Sequence, residues 1–185
     1  MPNQQKNKWP GQIQVYTGNS KGKTTAALGL AIRALGYGLK VGIIFFDKGG
    51  DYYHERKTLK QLNHPNLDFQ AFGLPRMTGG RFRFDNLPGD IDEAENALKT
   101  AADWFKNNNF DLIILDEINT TIATDLLKLD SIVNLIKSKP EPLELILTGR
   151  YCPEEIIALA DLVTEMNPIK HYMDKGLDAR PGIEY

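Results

Sequence analysis

The feature that most constrains the fold is a glycine-containing turn between a short apolar stretch and an Ala/Leu-rich helical pattern. It lies within residues 12–25, and the turn reads Gly18-Asn19-Ser20-Lys21-Gly22-Lys23-Thr24-Thr25. A strand, a glycine loop, a Lys-Thr pair and a helix in this order are typical of a phosphate-binding loop, or P-loop. The sequence therefore predicts that residues 18–25 bind a nucleotide.

Each residue type in this turn has a physical role. Glycines let backbone N–H groups approach phosphate oxygens, and the start of the following helix attracts anions. We expect Lys23 to neutralise the outer phosphates and the Thr24 hydroxyl to bind Mg²⁺. The chain departs from the usual pattern at one position, because Thr17 stands where a glycine is common and Gly18 follows it.

Apolar runs alternate with helical patterns along the rest of the chain. Strands are predicted at 12–17, 41–46, 67–72, 110–117, 143–147 and 162–166. Helices are predicted at 24–37, 52–62, 91–107, around 126–136, and from Pro153 onward. This alternation predicts one α/β domain over residues 12–185, with a doubly wound, mostly parallel sheet of about six strands, similar to P-loop NTPases. Residues 1–11 are predicted to be a flexible segment, and residues 167–185 a polar tail.

Composition narrows the class of protein. A chain of 185 residues with 42% hydrophobic residues suits a single soluble domain. A net charge of −2 gives no reason to expect a nucleic-acid partner. Cys152 is the single cysteine, so an intrachain disulfide is excluded and a structural zinc site is disfavoured. No apolar run is long enough to cross a bilayer, so we expect no membrane partner and a cytoplasmic location.

Charged residues follow three of the predicted strands. Asp116 and Glu117 end one strand and are the expected acidic partners of a P-loop, where one carboxylate holds Mg²⁺. The residues alone do not decide between these two acids. Lys48 and Arg150 follow two other strands, which places them at the same edge of the sheet, within reach of phosphate or ribose. The alternative is that Lys48 and Arg150 are solvated loop charges.

A long predicted loop, residues 73–90, carries several aromatic and basic side chains. They are Arg76, Arg81, Phe82, Arg83 and Phe84. A loop of this length within a compact domain is often functional.

Several motifs together resemble those of the ATP:corrinoid adenosyltransferases, a P-loop family. The resemblance extends over nearly the whole chain from Gln12. It is carried by the P-loop from Thr17 to Thr25, by Leu115-Asp116-Glu117, by Thr148-Gly149-Arg150 with Cys152, and by the tail. The matching residues of the distal part are Leu159-Ala160-Asp161, Glu165-Met166, Pro168, Lys170-His171, Asp174, Gly176 and Gly182-Ile183-Glu184-Tyr185. The family usually has glycine at the position of Ser20.

The resemblance implies an unusual use of ATP. The Co(I) centre of a reduced corrinoid would attack C5′ of the ribose, and triphosphate would leave. ATP and Mg²⁺ (or Mn²⁺) are implied as cofactors, with Lys23, Thr24 and Glu117 stabilising the triphosphate. The resemblance favours Glu117 over Asp116 as the metal ligand. It also implies a flavoprotein reductant and a homodimer.

The corrinoid side of the resemblance rests on the loop after the third strand. Relatives carry a Phe-Thr-Trp triplet there, whereas this chain has the sequence of residues 76–84, Arg-Met-Thr-Gly-Gly-Arg-Phe-Arg-Phe. We expect Phe82 and Phe84 to take over the apolar role and the arginines to meet corrin carboxamides or a phosphate. The alternative is an ordinary exposed loop with two anchoring aromatic residues.

Two other functions are compatible with a P-loop. A kinase or NTPase would act by phosphoryl transfer and release ADP or phosphate. A non-catalytic ATP-binding module would bind nucleotide without turnover. The match in the tail favours the adenosyltransferase, because a generic P-loop protein has no reason to share it.

Overall fold

The computed structural model describes residues 9–78 and 81–185. Residues 1–8, which make up most of the predicted flexible segment, lie outside the described residues, as do Gly79 and Gly80 of the long loop. Within the described part of that segment, the Gly11 N–H donates to Glu141 O at 2.9 Å.

Six strands form one parallel sheet, and two very short strands form a separate antiparallel hairpin. The strands are β1 (Ile13–Thr17), β2 (Val41–Phe45), β3 (Leu67–Ala71), β4 (Met77–Thr78), β5 (Arg81–Phe82), β6 (Leu112–Asp116), β7 (Glu144–Thr148) and β8 (Leu162–Glu165). The order in the large sheet is β3-β2-β6-β7-β1-β8, and β4 pairs with β5. The doubly wound α/β prediction is therefore confirmed.

Helices cover both faces of this sheet. They are α1 (Lys23–Tyr37), α2 (Glu55–Leu62), α3 (Pro88–Asn107), α4 (Ile118–Ala123), α5 (Leu129–Lys137) and α6 (Glu154–Ile157), with a short 3₁₀ helix at Tyr172–Lys175. Successive side chains of a strand point to opposite faces. Ile43 and Phe45 accordingly pack with α1, while Ile44 packs with α3 and α5. Burial on both faces explains why β2 is continuously apolar.

The strand register brings the carboxyl ends of four strands to one edge. Phe45 of β2 is paired with Asp116 of β6, and Thr148 of β7 is paired with Tyr16 of β1. Residues that follow these positions therefore lie at the same edge as the P-loop, which is where open α/β sheets bind ligands.

Several boundaries differ from the sequence predictions. Helix α3 begins at Pro88 rather than 91, because proline suits the first helical turn and the Asp90 carboxylate accepts from Leu87 N–H at 2.8 Å. Helix α4 was not predicted, since its Asn-Thr-Thr sequence has low helix propensity and its six residues are too few to show a periodic apolar pattern. The loop predicted to be irregular contains the β4–β5 hairpin, whose strands are only two residues long.

Candidate nucleotide site

The displaced glycine of the P-loop has a structural cause. Gly18 has φ 93° and Gly22 has φ 121°, a region that side-chain-bearing residues rarely adopt. A Cβ atom on Gly18 would lie 2.5 Å from Met166 O. The chain after β8 therefore passes directly against the loop, and only glycine fits at position 18.

Met166 also holds the two sides of the loop together. Its N–H donates to Thr17 O at 2.9 Å, and its carbonyl oxygen accepts from Ser20 N–H at 2.9 Å. These two backbone bonds fix the start of the P-loop to a residue far along the chain.

Lys23 is folded onto the loop itself. Its Nζ donates to Gly18 O at 2.8 Å and to Ser20 O at 2.7 Å, and the residue is buried. Burial lowers the pKa of the Lys23 ammonium, and the charge of Glu117 opposes that shift. The lysine thus lies against the loop that is predicted to bind phosphate.

The remaining predicted P-loop residues surround this lysine. Asn19 and Lys21 are exposed and Ser20 is partly buried. Thr24 and Thr25 lie in the first turn of α1, with Thr24 partly buried and Thr25 exposed.

Asp116 is fully engaged by its neighbours. Its Oδ2 lies 2.5 Å from Lys48 Nζ, and its Oδ1 accepts from Thr148 Oγ1 at 2.7 Å. The residue is 1% exposed. Both carboxylate oxygens already have partners, so Asp116 holds strands β2, β6 and β7 together at this edge.

Glu117, the residue directly after β6, has a different backbone conformation and different contacts from Asp116. Its φ of 64° is left-handed, and its N–H donates to Thr148 Oγ1 at 2.8 Å. Its Oε2 accepts from Thr120 Oγ1 at 2.5 Å, and the residue is partly exposed. The two consecutive acids therefore differ, since Asp116 is buried and paired with a cation whereas Glu117 is accessible.

Lys48 is an interior cation and not a solvated loop charge. Its Nζ donates to Thr24 Oγ1 at 3.1 Å as well as to Asp116, and it lies 5.3 Å from the centre of the Tyr53 ring. Burial alone would lower the pKa of Lys48, but the carboxylates of Asp116 and Glu117 outweigh burial and the pKa is raised. Lys48 therefore links the P-loop helix to the end of β6.

Arg150 follows β7 and remains exposed. Its backbone N–H donates to Thr120 Oγ1 at 3.1 Å. Its positive charge contributes to the lowered pKa of Lys23, so the two cations repel each other.

Cys152 carries an unreactive thiol. Burial, together with the charge of Glu154, raises the pKa of this thiol to about 12, so it stays protonated at neutral pH.

The oxygen atoms at this edge fit Mg²⁺, which prefers hard oxygen ligands. Thr24 supplies a hydroxyl oxygen, which also contacts Lys48, and Glu117 supplies a partly exposed carboxylate. Asp116 is buried, and both of its carboxylate oxygens already have protein partners. Among the described residues, no group of three or more His, Cys, Asp or Glu forms a metal site. This donor set suits an ion that takes most of its other ligands from phosphate and water.

Two arginines of the long loop point inward. Arg76 is 5% exposed and its Nε lies 2.9 Å from Asp47 Oδ1, while its Nη1 donates to Asp85 O at 2.8 Å. Arg83 contacts both carboxylate oxygens of Asp90, at 2.6 and 2.9 Å. Both arginines therefore pair with carboxylates of this chain, and their expected contact with a corrinoid stays a prediction.

Phe82 and Phe84 form an exposed aromatic pair. Their ring centroids are 4.8 Å apart, and the residues are 47% and 86% exposed. Nearby, a cavity of about 240 Å³ lies between the segments 49–53 and 75–77. The sequence analysis missed Tyr52 and Tyr53, which line this cavity. The available signal was two consecutive tyrosines close after the Gly49-Gly50 pair.

The described residues contain no helix with the length and apolar character needed to cross a membrane.

Solved structures with the same fold include two archaeal proteins. The flagellar accessory protein FlaH from Methanocaldococcus jannaschii superimposes with a TM-score of 0.55 and 16% identity, over 84% of this chain and 71% of that one. A KaiC-like protein from Pyrococcus horikoshii OT3 gives a TM-score of 0.56 and 14% identity, over 85% of this chain and 73% of that one. At these identities the likeness shows the fold alone, and it agrees with the predicted α/β fold with a parallel sheet.

Sequence comparison is more specific. Residues 10–185 match the family described as ATP:corrinoid adenosyltransferase BtuR/CobO/CobP. The corrinoid adenosyltransferase of Escherichia coli K12 is 37% identical over 95% of this chain and 86% of that protein. The corrinoid adenosyltransferase CobA of Salmonella typhimurium is 35% identical, and that of Pseudomonas aeruginosa is 33% identical, over 95% of this chain and 86% and 84% of those proteins. The chain therefore belongs to the ATP:corrinoid adenosyltransferase family.

Proposed function

We propose that this chain transfers the 5′-deoxyadenosyl group of ATP to the Co(I) centre of a reduced corrinoid. The cobalt electron pair forms the Co–C5′ bond, the C5′–O bond breaks, and its electron pair leaves with triphosphate. The observation that carries the proposal is the P-loop with Lys23 beside the acidic end of β6, in a chain of this family.

The residues at this edge suit stabilisation of the leaving group. In the proposal, Lys23 and the amides of residues 18–25 hold the triphosphate, whose negative charge increases as the C5′–O bond breaks. Thr24 and Glu117 would hold Mg²⁺, which supplies further neutralisation of charge. In the same proposal, the exposed side chain of Arg150 would contact phosphate or ribose. Lys48 acts through Thr24 and Asp116, and Asp116 is a structural partner rather than a metal ligand.

The reaction requires no protein nucleophile, since the cobalt supplies the electron pair. Alignment of cobalt with C5′ and exclusion of water become the main tasks of the protein. We assign the exposed Phe82–Phe84 pair to the corrinoid side, because it presents an apolar surface beside the cavity at the same edge. The cavity is too small to enclose a corrin ring, so the corrinoid would lie across its mouth.

Four further expectations belong to the same proposal. Co(I) demands a strong reductant, for which a flavoprotein remains our prediction, and such chemistry suits the cytoplasm. A homodimer is predicted from the resemblance and is testable by sedimentation. Magnesium dependence follows from the oxygen donors of Thr24 and Glu117.

An anaerobic assay with ATP, Mg²⁺ and chemically reduced cob(I)alamin tests the function. The corrinoid spectrum follows Co–C bond formation, and the phosphate product is identified separately. We expect adenosylcobalamin and triphosphate in equal amounts. Release of ADP or phosphate without any corrinoid product would instead favour phosphoryl transfer, and ATP binding without turnover would favour a binding module.

A further inference from the structure

The end of the tail, residues 183–185, contacts both sides of the candidate site. Lys21 of the P-loop donates to Ile183 O, and its Nζ lies 3.2 Å from Glu184 Oε1. On the other side, the Tyr185 ring stacks on Tyr52 with centroids 3.9 Å apart and planes at 14°. Three consecutive residues therefore bridge the P-loop and the segment that lines the cavity.

Contacts within the tail hold Glu184 in place. Its Oε2 accepts from Arg180 N–H at 2.7 Å and from Arg180 Nε at 3.2 Å, and its Oε1 accepts from the Tyr172 hydroxyl. The Arg180 guanidinium lies 5.0 Å from the centre of the Tyr172 ring. These partners, Arg180 first, lower the pKa of Glu184, so its carboxylate is charged at neutral pH.

A second contact fixes the far side of the bridge. His54 Nδ1 donates to Tyr185 O at 3.0 Å, and His54 immediately precedes α2. Tyr52 lines the cavity whose opposite wall is Pro75–Met77. The segment 52–54 is thus tied to the P-loop through the tail.

The P-loop keeps its own shape without this bridge. Met166 bonds to Thr17 and Ser20, and Lys23 bonds to Gly18 and Ser20. Loss of residues 183–185 would therefore leave the phosphate-binding loop formed. What it would change is the position of the cavity wall relative to that loop.

We propose that residues 183–185 act as a brace that sets this relative position, with Glu184 and Tyr185 as positioning residues for adenosyl transfer. The inference rests on the proposed function, in which C5′ must be presented to cobalt along the line of the breaking bond. A displacement of about 1 Å in such an alignment costs on the order of 100-fold in rate. The P-loop residues that would bind the triphosphate do not depend on this brace, so we expect ATP binding to be largely preserved when the brace is disrupted.

Steady-state kinetics of four variants test the brace. Glu184→Gln removes the charge opposite Lys21, and Tyr185→Ala removes the stack on Tyr52. Both are expected to lower kcat by up to about 100-fold with little change in KM for ATP. Tyr185→Phe retains the ring that stacks on Tyr52 and loses only the hydroxyl, so kcat should fall less than in Tyr185→Ala. Asp178→Asn makes the same charge change at an exposed position of the tail and serves as the matched control.

Amide hydrogen exchange in residues 49–54 provides a readout that is independent of activity. We expect faster exchange there in Glu184→Gln and Tyr185→Ala than in the wild type, with residues 18–25 unchanged. Wild-type kcat and exchange in both variants would overturn the brace. A rise in KM for ATP at constant kcat would also overturn it, since the tail would then serve phosphate binding alone. A wild type that forms no adenosylcorrinoid would overturn the proposed function instead, and exchange in 49–54 would then decide the brace by itself.

Discussion

The ammonium nitrogen of Lys48 lies 2.5 Å from Asp116 Oδ2, and both residues are buried at the carboxyl ends of adjacent strands. Each charge is removed from water and is compensated by the other. Thr24 and Thr148 complete the cluster with hydroxyl contacts at 3.1 and 2.7 Å. The pair therefore occupies Asp116, whereas the neighbouring Glu117 stays partly exposed.

Lys48→Met leaves the Asp116 carboxylate buried without its cation. Removal of one partner from such a pair costs about 3–5 kcal/mol, so we expect a loss of this size in the free energy of unfolding. The double variant Lys48→Met/Asp116→Asn should be less destabilised than the sum of the two single changes. Urea denaturation measures the free energy of unfolding of the two single variants and the double variant. Lys57→Met, at an exposed position of α2, is the control. Strict additivity would contradict the pairing.

Glu117→Gln should weaken magnesium binding, because it removes the partly exposed carboxylate that follows β6. We expect the Mg²⁺ concentration required for ATP binding to rise, as measured by calorimetric titration of ATP at several Mg²⁺ concentrations. Asp116→Asn should lower stability while leaving this requirement nearly unchanged. If instead Asp116→Asn raised the Mg²⁺ requirement and Glu117→Gln left it unchanged, Asp116 would be the metal ligand.

Lys23→Ala should reduce adenosyl transfer by about 10²–10³-fold, the usual effect of removing one donor that stabilises charge in the transition state. The lysine also bonds to its own loop, so circular dichroism must confirm that the variant is folded. Lys60→Ala, at an exposed position of α2, is the matched control. Near-normal turnover in Lys23→Ala would remove the P-loop from the reaction.

Replacement of both Phe82 and Phe84 by alanine should raise KM for the corrinoid and leave ATP affinity unchanged. The pair is exposed, so the change should have little effect on stability. Tyr37→Ala, which removes a ring that is 72% exposed at the end of α1, is the control. Unchanged kinetics with both substrates would show that the hairpin is not the corrinoid contact.

Acid should weaken the ion pair between Arg83, which follows the β4–β5 hairpin, and Asp90 of α3. The hydrogen bond from Arg83 holds the pKa of Asp90 below its usual value, so the stabilisation is complete above the unfolded-state pKa of about 4 and is lost as pH falls through the lower folded-state value. The difference in unfolding free energy between wild type and Asp90→Asn should be constant above about pH 5 and shrink in more acidic solution. A difference that stays constant down to acid would contradict the assignment.

Local patterns were enough to predict the sheet and the P-loop. The continuous apolar run at Val41–Phe45 is a direct consequence of burial on both faces, and the turn from Gly18 to Gly22 requires glycines at its two left-handed positions. Local sequence could not distinguish Asp116 from Glu117, because the difference arises from the left-handed backbone of Glu117 and from a lysine 68 residues away.

The contacts of the loop arginines could not be predicted from the sequence either. Arg76 and Arg83 look like surface charges in a glycine-rich stretch, and only the fold brings Asp47 and Asp90 to them. The tail posed the same problem, since its contacts with Lys21 and Tyr52 span more than 130 residues and leave no periodic signal.

The position of β1 has a consequence for biosynthesis. This first strand lies between β7 and β8, and the loop that follows it is closed by the backbone of Met166. Contacts of such large sequence separation are slow to form, because a long loop must close first. A growing chain that has not yet reached Met166 already contains every P-loop residue and still lacks the partner that shapes the loop. ATP capture on the ribosome should therefore begin only after Met166 has been synthesised.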